Sequence, residues 1–294
     1  MTEIPVLLTI FNRPEPTARV FAAIREARPE RLFVAADGPR PDRPDDEAAC
    51  RATRDQIRVD WPCDLQWRVA EGNHGCRLGM FNAVSWFFDH VEGGVIFEDD
   101  CLPGQTFFPF CAELLDRYRD DDRVFGISGN NFTRNRPDRD SYYFLKTTHI
   151  WGWATWRRKW AMVDLLAREW PDLRGAGVME EFLARPHTKA FWGYILDELH
   201  GQAGNTWSGA IIYTMLKHRM LGIHPVENLV SNIGFGNTGV HVTPIDHKLS
   251  DVPAIPMAFP LRHPAVVDLS VNFDDYVEDV WDIAPTPPEV LTGR

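Results

Sequence analysis

Cysteine is scarce in this 294-residue chain: Cys50, Cys63, Cys76, Cys101 and Cys111 form an odd set without a C-x-x-C pair. That excludes a disulfide framework and a structural zinc site, and predicts reduced thiols. No thiol except Cys76, close to His74, has an obvious partner to make it a thiolate, which disfavours nucleophilic cysteine chemistry. Positive charge is also short, 31 Lys+Arg against 42 Asp+Glu for a net charge of −11, so long-range attraction to nucleic acid or to an anionic membrane is excluded. No apolar run approaches the roughly 20 residues a membrane-spanning helix needs. Met1-Thr2-Glu3-Ile4-Pro5 lacks the basic start of a secretory signal, so the chain is expected to begin as a mature, cytoplasmic protein. Apolar residues are not lacking: 44% hydrophobic and 12% aromatic content rules out disorder and supplies a large core.

The pattern is α/β. Pro5 to Phe11 is nearly all apolar and stops at Asn12-Arg13-Pro14, as a strand covered on both faces would. A helix with Ala18, Phe21, Ala22 and Ile24 on one face follows, then a second buried strand, Arg31 to Asp37. The alternation continues with a helix over 48–57, a strand over 65–70, a helix over 78–91, a strand at Val95-Ile96-Phe97, a helix over 106–118 and a fifth strand over 123–128. Beyond about residue 140 the spacing of Trp153, Trp156, Trp160, Val163, Ala167 and Trp170 predicts a helix with an indole face, usually core but capable of stacking on a sugar. Helices over 187–200 and 207–221 follow, the second closed by Gly222, then a short strand pair or loop over 223–230. From Ser250 on, recurrent prolines and the acids of 274–282 suggest an extended arm. The chain thus divides into 1–135, an α/β half that binds a ligand, 136–249, a second half of the same domain, and 250–294, the Pro-rich acidic arm.

In an open α/β sheet ligands bind beyond the carboxyl ends of the strands. Here those ends carry Asn12-Arg13, Asp37-Gly38, Glu71-Gly72-Asn73-His74, Glu98-Asp99-Asp100 and Gly129-Asn130-Asn131. Asp37 alone reads equally as a cap on a following helix. Three adjacent acids repel unless a cation offsets them. Carboxylates suit Mg2+ or Mn2+, which take their remaining ligands from water and substrate phosphates, so the run points to a nucleoside diphosphate compound; a solvated acidic turn is the alternative.

Together, the segments Val6–Arg13, Ala36-Asp37-Gly38, Asn73–Arg77, Val95–Asp100, Ile127–Phe132, Ile150–Trp156 and Asn228–Gly236 resemble the motif string of bacterial sugar-nucleotide-dependent glycosyltransferases of the GT-A fold. N-acetylglucosaminyltransferase I, with the same Glu-Asp-Asp in place of a DXD motif, is a more distant likeness. The likeness spans residues 4 to about 262. It implies a Rossmann-like, mixed, mostly parallel sheet flanked by helices, with a Trp-rich helical region on the acceptor side. It implies a metal-dependent, inverting transfer of a hexosyl or N-acetylhexosaminyl group from a uridine diphosphate sugar to a glycan, lipid-linked or protein acceptor, and is compatible with peripheral attachment at an inner membrane. Carried over by residue, Asn12, Arg13, Asp37, Arg77, Glu98, Asp99 and Gly152 would bind the donor, with Arg13 and Arg77 near the diphosphate. His149, Trp151 and Trp153 would face the acceptor, and Asp100 with His241 would hold Mn2+ or Mg2+. One position departs from the pattern. Ser208 follows Thr206-Trp207 where an acid would deprotonate the acceptor, and serine holds its proton too tightly to replace it. Asp197 or Glu198 is then the expected base, or the chain binds a nucleotide or sugar without turning it over. A nucleotidyltransferase is the other alternative, disfavoured because Asn12 to Pro16 has no glycine and a single arginine.

Overall fold

The computed structural model describes residues 2–133, 139–202, 207–235 and 248–283. The first half runs β1 (Val6–Ile10), α1 (Pro14–Ala27), β2 (Arg31–Ala36), α2 (Asp46–Arg54), β3 (Asp64–Val69), α3 (Gly75–His90), β4 (Gly93–Glu98), β5 (Cys101–Pro103), α4 (Phe107–Arg117) and β6 (Val124–Ser128). Then come β7 (Tyr142–Leu145), β8 (Trp153–Trp156), α5 (Arg157–Trp160), α6 (Trp170–Gly175), α7 (Val178–Phe182), α8 (Pro186–His200), α9 (Ser208–His218), β9 (Leu221–Pro225), β10 (Val230–Asn232) and α10 (Phe273–Trp281).

Eight strands form one mixed sheet in the order β3-β2-β1-β4-β8-β6-β9-β7. β1, β2, β3 and β4 pair in parallel, as do β6 and β9, while β8 runs antiparallel between β4 and β6, and β7 antiparallel to β9. The α/β reading with a mostly parallel sheet therefore holds. Along β1 the side chains alternate between two cores: Leu7 packs on the side of Phe87, Trp153 and Ile211, whereas Val6, Leu8 and Ile10 pack on the side of Phe21, Phe107 and Leu114. Such two-faced burial is why β1 reads as a continuous apolar run.

Three expectations fail. Residues 153–156 are strand, not helix, because tryptophans three apart lie on opposite faces of a strand: Trp153 joins one core and Trp156 the other. α9 ends at His218 with Arg219 in the left-handed region (φ 51°), so Gly222 is a strand residue and not its cap. The acids of 274–282 lie largely on α10, not on an extended arm. Asn272 caps α10 by accepting from Asp275 N at 3.1 Å, and buried Asp274 accepts from Ala184 N and Arg185 N at 2.9 Å each and from Thr188 Oγ1. The chain before α10 lies along β7, where Ser270 N donates to Phe144 O at 3.1 Å and Ser141 N to Arg262 O at 2.8 Å.

Candidate active site

The carboxyl ends of β1, β2, β3 and β4 open into a cleft of about 200 Å³ lined by, among others, Phe11, Arg13, Asp37, Arg40, Arg68, His74, Glu98 and Asp99. Its rim is fixed from the backbone outward. Arg13 immediately precedes α1, Pro14 supplies the first helical residue without needing an N–H partner, and Thr17 Oγ1 donates to Arg13 O at 2.7 Å. β1 lies beside β4 with Thr9 opposite Glu98 and Thr9 Oγ1 donating to Phe97 O at 3.1 Å, so Arg13 faces the acids. Its Nε donates to Asp99 Oδ2 at 3.2 Å, Nη2 bonds Asp99 Oδ1, and Nη1 lies 3.0 Å from Asp100 Oδ2. Burial disfavours the Arg13 charge, but Asp99 and Asp100 outweigh it and hold the guanidinium protonated above its ordinary range. Burial, then the charges of Asp100 and Asp99, pushes Glu98 up. The cation that offsets these acids in the structure is therefore Arg13, a partner not seen from the sequence.

Asp37 serves the role of a remote cap. Its Oδ1 accepts from Gly38 N and His74 N at 3.0 Å, and its Oδ2 from Asn73 Nδ2 at 3.0 Å and Gly75 N at 3.2 Å. The carboxylate thus anchors the start of α3 at the cleft wall, where a negative group suits the positive end of the helix. Behind Arg40, another lining residue, buried Asp46 accepts from Arg40 Nε at 2.6 Å and from Asn12 Nδ2 at 2.9 Å, and the Arg40 guanidinium lies 5.3 Å from the Phe11 ring centre. Asn12 is thereby turned to Asp46. Cys76 also lines the cleft, but burial, then Glu98 and Asp100, pushes its thiol up to about 12, which removes it as a nucleophile at neutral pH.

The segment following Asn228 closes over the acids. β10 pairs with β5 so that Asn232 faces Cys101, and Ile233 N donates to Asp100 O at 2.9 Å. Gly234 is pressed so close that a Cβ there would stand 2.0 Å from Asp100 Oδ2. Gly152 adopts φ +70° with its backbone under Val230, and its carbonyl accepts from Gly129 N at 2.8 Å. Only a residue without a side chain combines that dihedral with that contact.

The other expected residues are dispersed. Arg77 is not a lining residue of the cleft, and its Nη2 donates to Leu165 O at 2.9 Å. Trp153 is fully buried between Trp160 and Trp207, which removes it as a surface for a sugar. Trp151 meets Phe132 and Phe235 edge-on, with ring centres 5.2 and 5.6 Å away. His149 stacks on Trp281 at 5.6 Å and bonds the Tyr276 hydroxyl; burial and neighbouring His224 keep it neutral. Asp197 accepts from Trp170 Nε1 at 2.9 Å and pairs with Arg174, while Glu198 is half-buried beside it on α8. His241 and Thr206 lie outside the described residues. Sequence reasoning missed Phe11, Arg40, Arg68 and Gly234; the first three sit at or just past strand ends, the signal that could have found them.

Among the described residues no group of three His, Cys, Asp or Glu side chains is arranged to hold a metal ion. The donor set fits a metal held by a single carboxylate. Both Asp99 oxygens are taken by Arg13, whereas among the described residues Asp100 Oδ1 meets the weak thiol donor of Cys101, at 3.6 Å. Mg2+ and Mn2+ bound this way draw their other ligands from water and phosphates.

No protein-family profile matches the chain, and no curated protein matches its sequence. Solved structures do resemble it in the course of the chain. One is HddC from Yersinia pseudotuberculosis, 8% identical with a TM-score of 0.33, covering 53% of this chain and 78% of that one. Another is the mannosyltransferase PcManGT from Pyrobaculum calidifontis in complex with GDP-Man and Mn2+, 12% identical with a TM-score of 0.38, covering 74% and 69%. A third is a UDP-glucose pyrophosphorylase complexed with UDP-glucose, 12% identical with a TM-score of 0.39, covering 76% and 90%. Similarity at this level carries no chemistry, which has to come from the cleft itself. Among the described residues no helix is long and apolar enough to cross a membrane.

Proposed function

We propose that the chain is an enzyme that binds a nucleoside-diphosphate sugar in the cleft and transfers the sugar to an acceptor hydroxyl, with a uridine diphosphate sugar as donor and a glycan or glycoconjugate as acceptor. The observation that carries the reading is the junction of an apolar cleft at the strand ends with the Arg13–Asp99–Asp100 corner. The nucleoside enters between Phe11, Asp37 and His74, which places the diphosphate at Arg13, whose planar fork matches phosphate oxygens two at a time. Asp100 would hold the divalent ion, which when bound neutralises charge on the departing diphosphate. Trp151, whose ring meets Phe235 next to Gly234 over the acids, would face the acceptor together with the Gly152 turn. Arg174 and Trp170 already engage Asp197, so no proton transfer is assigned to it.

The test is a thermal-shift screen of nucleoside diphosphates and their sugars with and without Mn2+, followed by product analysis. A ligand at 100 times its Kd adds about 2.7 kcal/mol of stability. Metal-dependent stabilisation by a nucleoside diphosphate, with the sugar appearing on an acceptor, supports the reading. Pyrophosphate release from a nucleoside triphosphate and a sugar phosphate would replace it with nucleotidyl transfer, and the absence of any nucleotide-dependent shift would refute it. Asp100→Asn should abolish the Mn2+-dependent part of the shift and leave the melting temperature of the free protein within a few degrees.

A further inference from the structure

All three guanidinium nitrogens of Arg13 are committed to Asp99 and Asp100, on a side chain that is 15% exposed. The guanidinium and a divalent cation are rivals for the same carboxylate: Nη1 lies 3.0 Å from Asp100 Oδ2, so an ion on the other oxygen, Oδ1, would stand a few ångströms from it, and like charges that close in a poorly hydrated corner repel strongly. Arg13 is also held from behind, by the start of α1 and the Thr17 bond to its carbonyl, so its backbone does not retreat. Its side chain would have to swing off the acids to meet another partner, and a diphosphate matches its planar fork.

We propose that Arg13 is an intramolecular counter-ion that keeps divalent cations off Asp100 until a nucleoside diphosphate takes over its guanidinium, so that the metal enters with the nucleotide and not ahead of it. This inference rests on the reading of the corner as a diphosphate site. It makes metal affinity a property conferred by the donor, and it requires that removing Arg13 uncouple the two.

The experiment measures Mn2+ binding to the full chain from the loss of the free-ion electron paramagnetic resonance signal, alone and with UDP or GDP, for wild type, Arg13→Met and Arg25→Met. Arg25 pairs with exposed Asp60, so its variant removes the same charge at a distance. Wild type and Arg25→Met should bind Mn2+ weakly alone and tightly with nucleotide. Arg13→Met should bind Mn2+ alone at least about tenfold more tightly than wild type, a difference of about 1.4 kcal/mol, with little gain from nucleotide. If Arg13→Met does not fold, Arg13→Gln is held to the same result. Wild type binding Mn2+ equally with and without nucleotide, or an Arg13 variant no tighter than wild type when nucleotide is absent, overturns the inference and leaves the site reading standing. Failure of wild type to bind Mn2+ with any nucleotide overturns both.

Discussion

Replacing Gly234 by alanine tests how tightly the loop after β10 is fitted to the acidic corner. The added Cβ would stand 2.0 Å from Oδ2, 2.7 Å from Cγ and 2.9 Å from Cβ of Asp100. Carbon contacts settle near about 3.5–4.0 Å, so the two segments must part by on the order of 1 Å. Rotating the Asp100 carboxylate does not relieve the clash, because its own Cβ is too close, and the rotation would break its pairing with Arg13. Overpacking of this kind costs about 1–3 kcal/mol, so calorimetry should show a melting temperature lower by a few degrees. The larger effect is functional, since a displacement of about 1 Å in a positioned group costs roughly a hundredfold in rate. Mn2+-dependent UDP affinity and sugar transfer should both fall steeply in Gly234→Ala. A variant with a lowered melting temperature but undiminished nucleotide binding and turnover would show that Asp100 does not stand at the ligand.

Asp46→Ala should weaken nucleotide binding by about tenfold, because it frees Arg40, Asn12 and the Phe11 wall together; calorimetric titration with UDP reads it, and an unchanged Kd would remove this wall from the binding site. Asp274 is a pH-dependent latch on α10: burial raises its pKa, but bonds from Thr188, Ala184 and Arg185 and the charge of Arg185 outweigh this and hold it below the usual carboxylate value. Its stabilisation is therefore complete above the unfolded value of about 4 and is lost as pH falls through the lower folded value. Urea midpoints should drop for Asp274→Ala at pH 7 by the equivalent of about 1–3 kcal/mol, with the gap to wild type narrowing below pH 4; a constant gap would contradict the assignment. Cys76 should resist iodoacetamide at pH 8 in the folded protein, since a thiol pushed up to about 12 carries almost no thiolate; rapid labelling of that peptide by mass spectrometry would refute the burial argument.

The alternation of two-faced strands with amphipathic helices made the first half legible, because a strand covered on both faces announces itself by apolar residues at every position. β8 was hidden for a geometric reason. Steps of three between tryptophans satisfy one face of a helix and equally the two opposite faces of a strand, and only the pairing with β4 and β6 decides. The Pro-rich composition after Ser250 concealed α10, whose nine residues carry no proline. At the candidate site, the strand ends marked the region where the cleft opens, yet the partner of the acids was invisible: Arg13 and Asp99 are 86 positions apart, brought together only because β1 and β4 are neighbours. Asp37 kept its place at the cleft, but its oxygens are spent on the backbone of the next motif, a use that local sequence leaves open alongside ligand contact.

The bonds that Ser270 and Arg262 make to β7 bear on how the molecule ends at its margins. β7 is the last strand on one side of the sheet, and its outward backbone groups at Phe144 and Ser141 are satisfied by residues more than a hundred positions later. The C-terminal stretch therefore works as a selvedge, finishing a border that would otherwise invite pairing with a neighbouring chain. Cutting the chain back ahead of Arg262 would leave the backbone groups of Ser141 and Phe144 without these partners and unravel that border, so a well-behaved shortened form keeps the residues through Ser270.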